Sequence, residues 1–98
     1  MREIETQYQD MMAKRARKVF LTVFCKIRSL EDTLTIPQMI IDSIRKMKGI
    51  ESVSYSNGTN VITVIAQWEE FEVNYKIRQI KKIPNIKNVT AEILSPLF

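Results

Sequence analysis

A chain of 98 residues is long enough for one small domain and too short for two halves that each have a core. Its hydrophobic share of 45%, charged share of 27% and pair of glycines exclude a collagen-like or low-complexity chain and argue against disorder. The net charge of +4 is compatible with a polyanionic partner but does not by itself imply one.

Residues 1–18 are predicted to form a short amphipathic helical extension that precedes the domain proper, residues 19–98. Ile4, Tyr8 and Met11 recur at helical spacing with charged residues between them. The segment ends in a group of cations: Lys14, Arg15, Arg17 and Lys18. Cations complete the negative end of a helix, and they would give DNA only a salt-sensitive contact without sequence preference, so direct DNA binding is not expected.

Residues 19–27 are predicted to be a central strand because both of its alternating sets contain apolar residues. One set is wholly apolar: Val19, Leu21, Val23, Cys25 and Ile27. The other set contains Phe20, Thr22 and Phe24. Cys25 lies on the wholly apolar face and is expected to be a buried small hydrophobe rather than a reactive thiol.

A capping pattern predicts that the first helix begins at Thr35, after a polar loop at residues 28–34. Gln38 follows Thr35 by three residues, and Pro37 falls in the first turn, where its missing N–H has no cost. Ile40 and Ile44 form part of an apolar face. Gly49 is the predicted left-handed cap at which the helix stops.

The next two strands are predicted to form a hairpin. Residues 50–56 alternate with serines on one face, which is typical of an edge strand. The pair Asn57 and Gly58 predicts a two-residue type I′ turn, with residues 59–67 returning as a second central strand, apolar on both faces.

Residues 68–83 have both strand and helix periodicity, and we predict a helix because of their length, acidic first turn, basic last turn and the stop at Pro84. Such a helix carries a second apolar patch, formed by Trp68, Phe71 and Tyr75, which is a candidate oligomer contact. Residues 85–94 are predicted to be the last strand.

This order of elements, with helix and strand motifs that echo one another in the two halves, predicts an α+β fold, the ferredoxin-like βαββαβ sandwich with antiparallel strand order 4-1-3-2. Helices cover one face of such a sheet. The other face carries Phe20, Thr22 and Phe24, which are predicted to form a homodimer interface, sheet against sheet, as in a dimeric α/β barrel.

The residue inventory weighs against catalysis. The chain has no histidine and a single cysteine, so neither a zinc site nor a nucleophile–histidine dyad can be assembled. We therefore predict that the chain is not an enzyme and uses no metal or cofactor. With no internal disulfide, no apolar run long enough for a membrane span and no signal peptide, a cytoplasmic location without membrane contact is expected.

Three short motifs make residues 17–94 resemble the effector-binding (RAM) domain of the Lrp/AsnC regulators. They are IRKMKGIESV from Ile44, WEEF from Trp68 and IKKIPNIKNVTAEIL from Ile80. The resemblance implies dimers that assemble further, with small effectors, often amino acids, bound near the hairpin. It therefore implies a ligand site at Asn57, Gly58, Thr59 and Asn60.

The chain departs from that family in two ways. Only eighteen residues precede the predicted first strand, whereas the family's helix-turn-helix needs about fifty. The family's hairpin pattern Gly-x-x-Asp is replaced by Gly58, Thr59, Asn60 and Val61, so a carboxylate that would receive an amino group is missing.

The favoured hypothesis is a stand-alone effector-binding and oligomerisation module that senses a small metabolite, such as an amino acid, and modulates transcription through other Lrp/AsnC regulators. A peptide-binding chaperone resembling the NapD family, which would capture an extended peptide at a free sheet edge, is the alternative on the same fold. A dimeric-barrel monooxygenase shares the fold as well, although the missing histidine argues against it.

Overall fold

The computed structural model describes residues 16–94, so the predicted helix over residues 1–15 lies outside the described part of the chain. The described elements are β1 (Ala16–Cys25), α1 (Leu30–Arg45), β2 (Ile50–Ser56), β3 (Val61–Glu69), a 3₁₀ turn (Glu70–Glu72), α2 (Val73–Lys81) and β4 (Ile86–Leu94).

The four strands form one antiparallel sheet in the order β2-β3-β1-β4. This order is the predicted 4-1-3-2 arrangement counted from the opposite edge, and it confirms the ferredoxin-like fold. The central strands β1 and β3 are the ones whose sequences are apolar on both faces, since a central strand has neighbours on both sides and both faces are partly covered.

The core lies between the sheet and the two helices. Each central strand turns alternate side chains toward the helices, beginning with Val19 on β1 and Ile62 on β3, and these side chains are fully buried. Ile40 and Ile44 of α1 and Ile80 of α2 pack against them. The alternate side chains of β1 and β3 face away from the helices and are only half-buried.

Several element boundaries differ from the prediction, and α1 ends at Arg45 rather than at Gly49. The first strand begins at Ala16, so Arg17 and Lys18 belong to β1 and not to a helix. Helix α1 begins at Leu30, well before Thr35, because the Ser29 hydroxyl accepts a hydrogen bond from the Asp32 N–H at 3.2 Å and caps the helix there. Pro37 is consequently inside the helix, a position where its missing N–H leaves a carbonyl without its usual donor.

The helix predicted for residues 68–83 is shorter than expected, because β3 extends to Glu69. Trp68 continues the strand alternation, lies in the core with 2% of its surface exposed and donates its Nε1–H to the Lys48 carbonyl at 2.8 Å. The helical turns begin only after it, where Glu69 and Glu72 form a reciprocal capping box. Trp68 is therefore not part of an exposed patch.

The predicted echo between the two halves is present in the turns that follow the helices. Gly49 and Asn85 both have positive φ, +85° and +68°. Their carbonyls accept hydrogen bonds from central strand amides, Gly49 from Gln67 at 2.7 Å and Asn85 from Lys26 at 2.8 Å. Since these turns correspond, Ile44 in α1 and Ile80 in α2 occupy equivalent positions, each five residues before the residue with positive φ.

Candidate ligand cleft at the end of β1

The hairpin loop between β2 and β3 has four residues, 57–60, and not two. Ser56 pairs with Val61, and the Thr59 N–H donates to the Ser56 carbonyl at 3.4 Å. The predicted type I′ turn is wrong, because Gly58 does not have positive φ and Asn60 does, at +57°. Four-residue hairpin loops of this kind are commonly built around an ordinary type I turn.

Asn60 ties this loop to its surroundings. Asparagine is among the residue types that adopt positive φ most readily. Its side-chain Oδ1 accepts a hydrogen bond from the Tyr55 hydroxyl at 3.4 Å, and its carbonyl accepts one from the Cys25 N–H at 3.0 Å. The loop is thereby held against the last residue of β1.

An open cleft of about 420 Å³ lies where β1 ends. It is bordered by the end of β1 and the segment that follows, by the hairpin loop and by the beginning of β4. The lining residues are Phe24, Cys25, Lys26, Ile27, Arg28, Thr59, Asn60 and Lys87. Lys87 lies at the register shift between the Phe24–Asn88 and Cys25–Ile86 pairs, which places it beside the end of β1.

The cleft is positively charged. Lys26, Arg28 and Lys87 line it, and no carboxylate among residues 16–94 does. Thr59 and Asn60 add a hydroxyl and a carboxamide, both of which can donate hydrogen bonds. Ammonium and guanidinium donors form their strongest hydrogen bonds with carboxylate and phosphate oxygens. The cleft is therefore suited to the negatively charged end of a small molecule.

Two of the four predicted ligand residues line this cleft, Thr59 and Asn60, whereas Asn57 and Gly58 do not. The sequence analysis did not identify the three cations. Lys26 and Arg28 lie at the end of the predicted strand 19–27 and directly after it, which is a signal that could have been used. Lys87 could not have been added to them without the register between β1 and β4.

The open face of the sheet carries an apolar patch along the two central strands. Phe24 pairs with Val61, and Phe20 pairs with Ile65, with a pair of threonines between them. All of these side chains are half-buried. Polar residues flank the patch on the outer strands: Ser52, Ser54 and Ser56 on β2, and Asn88, Thr90 and Glu92 on β4. The predicted interface residues Phe20, Thr22 and Phe24 thus share one face, as expected.

The predicted aromatic patch is divided by the fold. Phe71 and Tyr75 are 80% and 60% exposed on the helical side of the molecule, and Trp68 lies beneath them in the core. Cys25 is buried, as predicted, and its burial raises the pKa of its thiol. An uncharged, poorly accessible thiol is not a good nucleophile.

Within residues 16–94, no three His, Cys, Asp or Glu side chains lie close enough together to hold a metal ion. Neither of the helices in this part of the chain is long and apolar enough to cross a membrane.

Comparison with known proteins shows the fold and little beyond it. No protein-family model matches the chain, and no curated protein does. Among solved structures, PH0061 matches with a TM-score of 0.63 and 17% sequence identity over 91% of this chain. The match covers 58% of PH0061, so this chain spans little more than half the length of that protein.

A second solved structure that matches is a monooxygenase from the gene ActVA-Orf6 of Streptomyces coelicolor, in complex with the ligand Nanaomycin D. Its TM-score is 0.43 at 17% identity, over 87% of this chain and 91% of that one. The prediction that the chain is not an enzyme is corrected by this match, since a catalyst is among its structural neighbours. A likeness this distant assigns no reaction to the chain.

Proposed function

We propose that the chain is a homodimeric effector-binding module, of the kind that its resemblance to the RAM domain implies. In this proposal two copies pack through the open sheet face, and the cleft at the end of β1 binds a small metabolite that carries a carboxylate, such as an amino acid. The module would modulate transcription through Lrp/AsnC regulators with which it assembles.

The observation that carries the proposal is the position of Phe24. This residue belongs both to the apolar patch on the open face and to the lining of the cleft. A second sheet laid on the open face would cover Phe24 and lie at the margin of the cleft. Ligand binding and assembly would then act on the same side chain, which is the physical requirement for one to affect the other.

The apolar patch supports the dimer. Covering a half-buried phenylalanine ring contributes on the order of 1 kcal/mol, and the patch offers Phe20 and Phe24 together with Val61 and Ile65. Two-fold packing places the same patch on both partners, so each apolar row meets an equivalent one. The hydroxyl-bearing residues on β2 form a polar rim of the kind that surrounds interface cores.

The cations support the choice of ligand. Lys26, Arg28 and Lys87 are solvent-exposed, so folding does not impose a desolvation penalty on them before a ligand arrives. An amino acid would place its carboxylate among them. Its amino group would contact the Asn60 side chain, where the family's hairpin supplies a carboxylate. A neutral amide forms a weaker hydrogen bond with an ammonium group than a carboxylate does, so we expect the amino group to be bound less tightly.

The test is molar mass by light scattering together with titration calorimetry against each common amino acid at millimolar concentration. The expected result is a dimer that binds one or a few amino acids and changes its mass or its dissociation constant when it does. The variant Lys26→Ala/Lys87→Ala should lose binding, and Lys81→Ala, an exposed lysine on α2, is the matched control. A monomer that binds none of them would overturn the proposal.

One observation favours the alternative function. The outer edge of β4 has no partner strand among the described residues, and the strand is nine residues long. A peptide-binding chaperone would use such an edge to add an extended peptide as a fifth strand. This function predicts a lasting monomer whose β4 amides become protected from hydrogen exchange when a peptide binds.

A further inference from the structure

The outer surface of α2 and the 3₁₀ turn before it carries large apolar groups that the monomer does not cover. Phe71 and Tyr75 are separated by one helical turn and are 80% and 60% exposed. Arg78, Gln79 and Lys82 continue the same face and border a shallow groove with Tyr75. We call these five residues the α2 stripe. Exposed aromatic pairs of this size are typical of protein contact surfaces.

The α2 stripe is held in a defined shape. The Gln79 Nε2 group donates a hydrogen bond to the Tyr75 hydroxyl at 3.1 Å, which orients the ring along the helix. The turn that carries Phe71 is fixed by the capping box, in which the Glu69 N–H donates to the Glu72 carboxylate at 3.2 Å. A surface that is ordered before binding loses less conformational entropy when it makes a contact.

Charge is distributed unevenly along this surface. Glu70 lies at its beginning, beside Phe71, whereas Arg78 and Lys82 lie toward its end. None of these three side chains has an ion-pair partner within residues 16–94. Together with Glu70, the α2 stripe therefore has an acidic end, an aromatic centre and a basic end, over roughly 18 Å at 1.5 Å per residue.

We propose that the α2 stripe binds the same stripe of a second copy, with the two helices antiparallel about a two-fold axis near Tyr75. Only the antiparallel arrangement brings the acidic end of each copy to the basic end of the other. In this arrangement Glu70 of each copy faces Arg78 of the other, so the two-fold axis generates two equivalent ion pairs. The aromatic rings meet at the centre.

This contact goes beyond the effector-binding function and does not depend on a ligand. The α2 stripe is on the helical side of the molecule, and the apolar sheet patch is on the other, so the contacts do not compete. Two different two-fold contacts on one chain join sheet-face dimers into a tetramer or a larger assembly.

The charge pattern also selects a second copy over nucleic acid. Aromatic rings between cations can stack on bases, and Arg78 and Lys82 would suit phosphates. Glu70 is adjacent to Phe71, however, and Glu72 follows it, so a phosphate backbone that reached the rings would meet like charge. A second copy uses the acidic end of the stripe, which a nucleic acid would have to avoid.

The experiment measures the molar mass of the full chain by light scattering over a hundredfold range of concentration. The variants are Phe71→Ser/Tyr75→Ser, Glu70→Arg, Arg78→Glu and the double reversal Glu70→Arg/Arg78→Glu. Leu34→Ser, which removes an exposed apolar group on α1, is the matched control. All of these sites are at the surface, and circular dichroism checks that each variant is folded.

The expected result is a mass that rises above that of the dimer with concentration, a rise that the aromatic double variant and each single reversal lose. The dissociation constant of this step should increase about tenfold or more in these variants. The double reversal should recover the step, because it rebuilds the same two ion pairs with opposite sign. Leu34→Ser should behave as the unmodified chain does.

The proposal is overturned if the aromatic double variant associates as the unmodified chain does, or if the double reversal is no better than either single reversal. It is also overturned if these variants leave the mass unchanged and instead lose binding of a labelled oligonucleotide. The same data also report on the sheet-face dimer, because its molar mass is the lower limit that is reached at low protein concentration. A failure of this contact is therefore distinguishable from a failure of the proposed function.

Discussion

The backbone carbonyls of Asn60 and Asn85 accept hydrogen bonds from two consecutive amides at the end of β1. The Cys25 N–H donates to Asn60 at 3.0 Å, and the Lys26 N–H donates to Asn85 at 2.8 Å. Among the described residues, these asparagines are the two non-glycine positions with positive φ. Two turns with positive φ, one before β3 and one before β4, thus bind the same end of the central strand, and the cationic cleft lies around it.

The first prediction concerns the conformation of Asn60. Asn60→Val should lower the free energy of unfolding by about 2–3 kcal/mol, since a β-branched residue is strongly disfavoured at positive φ and the Tyr55 hydroxyl loses its partner. Asn60→Gly should stay within about 1 kcal/mol of the unmodified chain, because glycine adopts this φ freely. Urea unfolding followed by Trp68 fluorescence measures both. Equal losses in the two variants would show that backbone conformation is not the cause.

The second prediction concerns Gly49. A Cβ at this position would lie 2.6 Å from both the Gln67 carbonyl oxygen and the Trp68 Cδ1 atom, with φ at +85°. Gly49→Ala should therefore destabilise the fold by about 2–4 kcal/mol, measured by urea unfolding.

Gly58→Ala is the matched control for this change, since nothing lies within 4 Å of its Cβ position. Its free energy of unfolding should remain within about 0.5 kcal/mol of the original. A comparable loss at Gly58 would refute the steric explanation.

The third prediction tests the apolar sheet patch. Thr22→Arg places a guanidinium at the centre of the open face, between the Phe24 and Phe20 rows. The proposed sheet-face dimer should weaken by roughly 100-fold or more, because the charge would be buried without a partner. Sedimentation equilibrium measures the change, and urea unfolding at low concentration checks that the monomer is still folded.

Leu34→Arg makes the same chemical change at an exposed position on α1 and should leave the sheet-face dimer intact. Loss of the dimer in both variants would point to a general effect of charge. Retention of the dimer in Thr22→Arg would exclude the open face as the interface.

The fourth prediction follows from the pKa of Cys25. Burial raises the pKa of this thiol above its ordinary value of 9.0, because burial disfavours the thiolate. The folded state therefore holds the proton more tightly than the unfolded state. The thiol's contribution to stability is complete below pH 9.0 and is lost as the pH rises from there through the folded-state pKa.

Unfolding free energies of the unmodified chain and of Cys25→Ala, measured from pH 7 to pH 10.5, isolate this contribution. Their difference should be constant at lower pH and should shift against the unmodified chain above about pH 9. Alkylation by iodoacetamide should also be slower in the folded than in the unfolded protein. A constant difference across the whole range would contradict the raised pKa.

Local patterns were sufficient for most of the framework. Strands apolar on both faces were assigned correctly to the centre of the sheet, since burial on two faces is a property of each strand alone. The start of α1 was not predicted correctly, because two capping patterns compete there. Ser29 with Asp32 caps the observed helix, and Thr35 with Gln38 lies one turn inside it. Both patterns satisfy free N–H groups, so local chemistry does not choose between them.

Trp68 is a second position where the local sequence pattern fits two different structures. Its spacing fits a helix with Phe71 and Tyr75 and also fits a strand with Ala66. The structure resolves the choice by burying the indole in the core and giving its N–H to the Lys48 carbonyl, twenty residues away in the sequence. A buried indole needs such a hydrogen-bond acceptor. The position of the Lys48 carbonyl depends on the conformation of the turn between α1 and β2.

The sequence by itself determined the class of fold, the central strands, the burial of Cys25 and the apolar open face, because each depends on periodicity within one element. The tertiary structure decided the conformation of the 57–60 loop, the position of Trp68 and the convergence of Lys26, Arg28 and Lys87. Those cations come from two strand ends that are distant in sequence. Only the antiparallel register of β1 and β4 brings them to one cleft.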